Sequence, residues 1–251
     1  PQTGLGFAMR FLLLQARNAG DAAQPHEHEA FAEILERDLE TIEVWSLLEG
    51  APPKERIAAA DCVLVGGSGE YGVNDVAKYP WLSGFIDLMG ELANEGKPTF
   101  ASCFGFQALC VAAGGEVVVD KARAEVGTFE LYVTPEGERD PLFGPLKPRF
   151  KAQLGHKDHV TRLPEGFLHL AGSERSPNQA LVVPGKAIYA TQFHPELSMV
   201  RNRERFMRYL EGYSDPSMPD SPEQVLAAYC ETTGASGVLK RYVDEILPNY
   251  L

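Results

Sequence analysis

A thiol, an imidazole and a carboxylate are the groups from which a nucleophile triad is built. This chain offers them in two short segments. The first is Ala101-Ser102-Cys103-Phe104-Gly105-Phe106-Gln107, where a buried strand over Thr99–Ser102 gives way to a helix over Phe104–Ala113. A nucleophile at so sharp a turn stands exposed above the sheet edge. Only small side chains fit two residues before and after it, and Ala101 and Gly105 are small. The helix that starts after Cys103 points its N–H groups and positive dipole end at the sulfur, which favours thiolate over thiol. Taken alone, Cys103 reads equally well as a small buried core residue. The second segment, Gln192-Phe193-His194-Pro195-Glu196, follows a strand over Ala187–Thr191. Residues i and i+2 of an extended chain point the same way, so His194 and Glu196 share a side and Glu196 can orient the imidazole. An isolated His-Pro-Glu is usually just a solvated loop. An elbow cysteine together with a His-Pro-Glu at a later strand end is a specific pair.

The elements that must position these groups alternate. The pattern predicts strands at Arg10–Gln15, Ile42–Leu47 and Asp61–Val65, and helices at His26–Leu39 and Trp81–Asn94. Pro80 suits the start of the second helix and Gly96 its end. Strand and helix in this order predict an α/β fold, three-layered, with a mainly parallel central sheet. From Glu116 to Gln192 short strands dominate, at Glu116–Val119, Thr128–Val133, Arg149–Gln153, Phe167–Ala171, Ala180–Val183 and Ala187–Thr191, and they read as an antiparallel section. Arg201–Leu210 is again helical. Tyr213–Pro222 reads as a linker, followed by short helices at Pro222–Glu231 and Val238–Leu247. The 251 residues, 27.5 kDa, suit one large domain over 9–211 with a C-terminal helical extension over 212–251. Met9 reads as the natural start of the chain.

Composition narrows the function. Lys plus Arg is 23 and Asp plus Glu 35, a net charge of −12. Such a chain repels phosphate backbones and anionic membrane surfaces, so neither nucleic acid nor membrane is an expected partner. No apolar run reaches the length of a spanning helix, and the apolar run near the N-terminus is too short for a signal-peptide core. Cys62, Cys103, Cys110 and Cys230 form no CxxC pair, so reduced thiols in a cytoplasmic protein are the expectation; Cys62 and Cys110 read as core. His26, His28, His156 and His159 lack a ligand set at metal spacing and read as solvated or loop-structuring. Arg201, Arg205 and Arg208 line one helix face, which reads as a solvated stripe or, more sharply, as a docking patch for an acidic partner.

In its motifs the chain resembles the class I glutamine amidotransferases. The family's Cys-x-Gly-x-Gln is matched by Cys103, Gly105 and Gln107, and its His-Pro-Glu by His194, Pro195 and Glu196. Gly66-Gly67 follows an early strand, and Gly114-Gly115 closes the elbow helix. Gly155-His156-Lys157-Asp158 resembles the family's Ser-His-Gly-Asp stretch, with Leu163–Gly166 after it. The resemblance covers roughly Arg10 to Glu211 and is nearest to the amidotransferase domain of GMP synthases. Phe106, Gly155 and Ser68 stand where many members carry His or Met, Ser, and Pro; none is in the triad.

The resemblance implies hydrolysis of the glutamine side-chain amide through a γ-glutamyl thioester, with Cys103 as nucleophile, His194 as proton shuttle and Glu196 as its orienter. Backbone N–H groups of Phe104 and Gly67 are the candidate oxyanion hole. Gln107, His156 and Asp158 are the expected substrate-binding residues. No cofactor or metal is expected. Three readings stay open: a subunit that passes ammonia to a separate synthetase partner, a stand-alone hydrolase of γ-glutamyl compounds, and a non-catalytic regulatory or binding protein on the same fold. The intact Cys103, His194 and Glu196 argue against the last.

Overall fold

The computed structural model describes residues 9–251; the eight residues ahead of the expected start at Met9 lie outside the described residues. The first half alternates as β1 (Phe11–Ala16), α1 (Ala23–Leu35), β2 (Ile42–Ser46), α2 (Lys54–Ala59), β3 (Cys62–Ser68), α3 (Trp81–Glu95), β4 (Thr99–Ser102) and α4 (Phe104–Ala112). Then come β5 (Glu116–Val119), β6 (Glu125–Val133), α5 (Pro135–Arg139), β7 (Arg149–His156), β8 (Asp158–Arg162), β9 (Leu168–Gly172), β10 (Ala180–Val182) and β11 (Ile188–Thr191). Helices α6 (Met199–Arg208), α7 (Leu210–Tyr213), α8 (Pro222–Ala228) and α9 (Thr233–Arg241) follow, and Tyr242–Ile246 and Leu247–Asn249 prolong α9 in irregular helical turns.

Nine strands form one sheet in the order β2-β1-β3-β4-β11-β10-β9-β6-β7, and β5 pairs with β8 in a separate ribbon. The pairs from β2 to β11 are parallel, and those from β11 to β7 antiparallel. Strands β1, β3, β4 and β11 are buried on both faces, as helix-covered strands must be, while the edge strand β2 is only partly buried. In β1, Phe11 and Leu13 face one core while Leu12 and Leu14 face the other. The fold is thus the α/β architecture with a large, mostly parallel sheet that the alternation predicts, its antiparallel section continuous with the parallel one.

Differences from the sequence-based expectation have local causes. α1 spans Ala23–Leu35 rather than 26–39, because Glu36 adopts a left-handed conformation (φ 52°) that ends it, and Leu39 falls in a short 3₁₀ turn. α2 and β8 were not expected; β8 is too short and too polar (DHVTR) to show a period. The C-terminal helices contribute to the main core. Val238, Leu239, Tyr242, Val243 and Leu247 pack in the same cluster as Phe11, Phe31 and Phe100, and the buried Tyr242 hydroxyl donates to the Ala187 carbonyl at 2.8 Å.

Candidate active site

Strands β4 and β11 lie side by side in parallel register, with Ser102 opposite Thr191. Cys103 and Gln192 follow directly, so both reactive segments leave the sheet at the same edge. The Cys103 N–H donates to the Thr191 carbonyl at 2.7 Å, tying the two strand ends together. Cys103 has φ 51° and ψ −101°. A non-glycine residue in that region is strained and persists only where its surroundings hold it. Here they do, because α4 begins at once and the Cys103 carbonyl accepts from the Gln107 N–H at 3.0 Å. Gly105 is dictated by contact: a Cβ there would lie 2.7 Å from Val65 Cγ1 and 3.1 Å from the Ala101 Cβ. The small residues of the elbow therefore permit its close approach to β3.

His194 is buried, and its Nδ1 lies 2.6 Å from Glu196 Oε1. Burial alone would lower the His194 pKa, but the Glu196 carboxylate and the Cys103 sulfur overcome it and push it up to about 9. Burial acts to raise the Glu196 pKa, yet His194 and then Arg205 hold it below the usual carboxylate value. Cys103 Sγ accepts from Gln192 Nε2 at 3.5 Å. Cys103, His194 and Glu196 are thus brought together, with the imidazole between sulfur and carboxylate.

The remaining expected residues divide. Cys103, Phe104, Gln107, His156 and Asp158 line one open cleft of about 750 Å³. Gln107 Nε2 donates to the Asp158 carbonyl and to Gln192 Oε1, each at 3.0 Å, so its amide hydrogens are already used. Burial raises the Asp158 pKa, and Asp75 adds to the effect. His156 is buried and both ring nitrogens are engaged, Nε2 with Glu125 Oε2 at 3.0 Å and Nδ1 with the Asp158 carbonyl at 2.8 Å. Its ring therefore has no free nitrogen to offer a ligand. The Phe104 N–H heads α4 and has no intrahelical acceptor. The Gly67 N–H, by contrast, corrects the expectation: it donates to Glu27 Oε2 at 3.2 Å and is not free for an oxyanion. A Cβ at Gly67 would meet His194 Cε1 at 2.9 Å, and one at Gly66 would meet the Glu27 carboxylate at 2.6 Å. The two glycines make room for a carboxylate and for the imidazole.

Two further expectations are corrected. The arginines of α6 are not a solvated stripe. Arg201 Nε pairs with Glu33 at 2.5 Å and its Nη1 with Glu29 at 3.3 Å, while Arg205 is buried; of these three expected stripe residues, Arg208 alone is exposed. His26 and His159 are buried rather than solvated, His26 with Nε2 3.3 Å from Glu204. The sequence reading missed Glu27, Arg17 and Arg205 altogether. The available signal was charge complementarity between the glutamates of α1 and the arginines of α6. Among the described residues, no three His, Cys, Asp or Glu side chains are gathered as a metal site, and no helix is long and apolar enough to cross a membrane.

The description "Glutamine amidotransferase class-I" matches residues 28–210, well over half of the chain. The chain belongs to the class I glutamine amidotransferases. It is 37% identical over 113 residues to a GMP synthase [glutamine-hydrolyzing] from a Nitratiruptor species, covering 45% of this chain and 22% of that protein. It is 29% identical over 185 residues to that of Corynebacterium jeikeium, covering 72% of this chain and 33% of that protein. The chain thus spans a third or less of these relatives. Among solved structures, a glutamine amidotransferase from Thermotoga maritima aligns with a TM-score of 0.73 at 20% identity, covering 96% of this chain and 98% of that one. One from Methylobacillus flagellatus gives 0.70 at 20% identity, over 97% and 94%. At that identity the likeness shows the fold. Enzymes of this family, in the form of GMP synthase amidotransferase domains, are its homologues.

Proposed function

We propose that this chain hydrolyses the side-chain amide of glutamine and supplies ammonia to a separate synthetase partner. The observation that carries the reading is the strained Cys103 at the mouth of the cleft, with His194 beside it held by Glu196 at 2.6 Å. The Cys103 thiolate attacks the carboxamide carbon. The tetrahedral oxyanion takes a hydrogen bond from the Phe104 N–H, and one such donor is worth about 3 kcal/mol of barrier. His194 donates its proton to the departing nitrogen, so ammonia leaves and a γ-glutamyl thioester remains. His194 then takes a proton from water, whose oxygen attacks the thioester; glutamate leaves and Cys103 is restored. Glu196 stays ionised throughout and fixes the Nδ1–H tautomer. Residues 9–211 make up the catalytic unit, and 212–251 extend it while sharing its core.

A second reading has its own support. A cleft of about 750 Å³ has the volume of a site for a drug-sized ligand, larger than glutamine needs. That size favours a stand-alone hydrolase of larger γ-glutamyl amides. The test compares glutamine with a γ-glutamyl peptide at equal concentration, following glutamate release, with Cys103→Ala as the inactive control. Slow hydrolysis of glutamine by the isolated chain is the expected result, because partner docking normally completes such a site. Fast turnover of the peptide and none of glutamine would refute the subunit reading.

A further inference from the structure

More charge is buried behind the site than a triad uses. Glu27, on α1, is fully buried; Oε2 accepts from Arg17 Nη2 at 2.8 Å and from the Gly67 N–H, and Oε1 accepts from Gln15 Nε2 at 3.2 Å. Arg205 Nη2 approaches Glu27 Oε2 only to 3.9 Å. None of the three guanidinium nitrogens of Arg205 has a hydrogen-bond partner, and Glu196 Oε2 has none either. A small, partly enclosed cavity of about 20 Å³, walled by Arg17, His194, Asn202, Arg205, Tyr209 and Tyr213, lies against the catalytic imidazole. It has room for about one water molecule.

Buried charges of one sign require the other nearby. Arg17 and Glu27 neutralise each other in direct contact. Glu196 Oε1 is taken by His194, which leaves Glu196 Oε2 and the Arg205 guanidinium, opposite in sign, both buried and both unbonded. We propose that Arg205 is a positioning residue for the hydrolytic site, acting through Glu196, with Glu27 as the buried pivot that holds it there. The inference rests on the triad reading given above. Burial favours a protonated Glu196, and a protonated Glu196 cannot hold His194 as an imidazolium or fix its tautomer. A guanidinium keeps its charge at every accessible pH, so the carboxylate keeps a counter-charge that does not titrate. The groups facing Arg205 are Arg17 after β1, His26 and Glu27 on α1, Glu196 after β11, and Tyr209 and Tyr213 beyond α6.

The full chain carrying Arg205→Met, and separately Arg205→Lys, is compared with wild type. Two profiles are measured between about pH 3 and pH 9, wherever the chain stays folded: kcat/KM for the γ-glutamyl substrate wild type turns over, and iodoacetamide alkylation of Cys103. Arg205→Met is expected to move the acid limb of both profiles up by about one pH unit and to slow alkylation near the limb about tenfold; Arg205→Lys restores most of the loss. In a Glu196→Gln background, Arg205→Met costs less than about twofold further, as expected of residues acting as one unit. A structural role alone would lower folded yield without moving the limb. An unshifted limb in folded Arg205→Met, or an undiminished penalty beside Glu196→Gln, overturns the proposal. Should Arg205→Met not fold, Arg205→Gln takes its place, and failure of both neutral variants to fold also overturns it. Wild-type Cys103 that is no more reactive than the other thiols would instead sink the triad reading itself.

Discussion

His194 and His156 are near-twins in their surroundings. Both are buried at strand ends, and each holds a buried carboxylate, Glu196 at 2.6 Å and Glu125 at 3.0 Å. The difference lies in the second ring nitrogen. His156 spends it on the Asp158 carbonyl, which pins the start of β8. His194 binds Glu196 through Nδ1, which leaves Nε2 for the Cys103 side. A buried His–carboxylate pair is therefore not by itself a catalytic feature. What makes it one is an unspent nitrogen facing a nucleophile, and adjacency of β4 and β11 supplies that nucleophile.

The sharpest way to break this contrast is to remove each imidazole. His194→Ala is expected to cost on the order of 10⁵-fold in turnover, and Glu196→Gln roughly tenfold to a hundredfold less than that. Steady-state glutamate release on variants shown to be folded checks the ranking; a Glu196→Gln more damaging than His194→Ala would reverse the roles. His156→Leu should leave most turnover per folded molecule while lowering stability by about 3 kcal/mol, because Glu125 loses its buried partner. Urea unfolding measures this, and adding Glu125→Leu should restore much of the loss.

The thiols offer a finer test. A glutamine-like electrophile should label Cys103 first, since burial pushes Cys62 up to about 12 and raises Cys110 as well. Mass mapping that finds all four labelled equally would contradict the elbow assignment. The smallest expected effect concerns pH. The His194 pKa of about 9 stands above the ordinary 6.5, so its stabilising contribution is complete below about 6.5 and is lost as pH rises through about 9. Thermal melts across that window should show the decline, and Cys103→Ala should shift it downward, because the sulfur helps to raise the imidazole.

The sheet and the elbow were legible because their constraints are local. Unbroken apolar runs such as FLLL mark strands buried on both faces, and Ala101 and Gly105 mark a turn with no room for larger side chains. The buried charges behind His194 were not legible. Glu27 sits among polar neighbours in HEHE, where a single sequence gives no sign that one face turns inward. Arg205 looked like part of a wet stripe because α1, the element that covers it, contributes its carboxylates from far away in the chain. Gly67 was read for the right property and the wrong neighbour: close approach is needed, but to His194 and Glu27 rather than to an oxyanion.

The parallel pairing of β4 with β11 also separates reactivity from selectivity mechanically. Nucleophile and base take their spacing from two hydrogen-bonded strands at the centre of the sheet. Much of the cleft's outer wall comes from elsewhere: Val119 and Asp158 belong to the separate β5–β8 ribbon, and Glu211 to Tyr213 to α7. Insertions or substitutions in those two appendages can resize the mouth without sliding β4 against β11. Descendants of this scaffold can thus change what they admit while the reacting atoms keep their alignment.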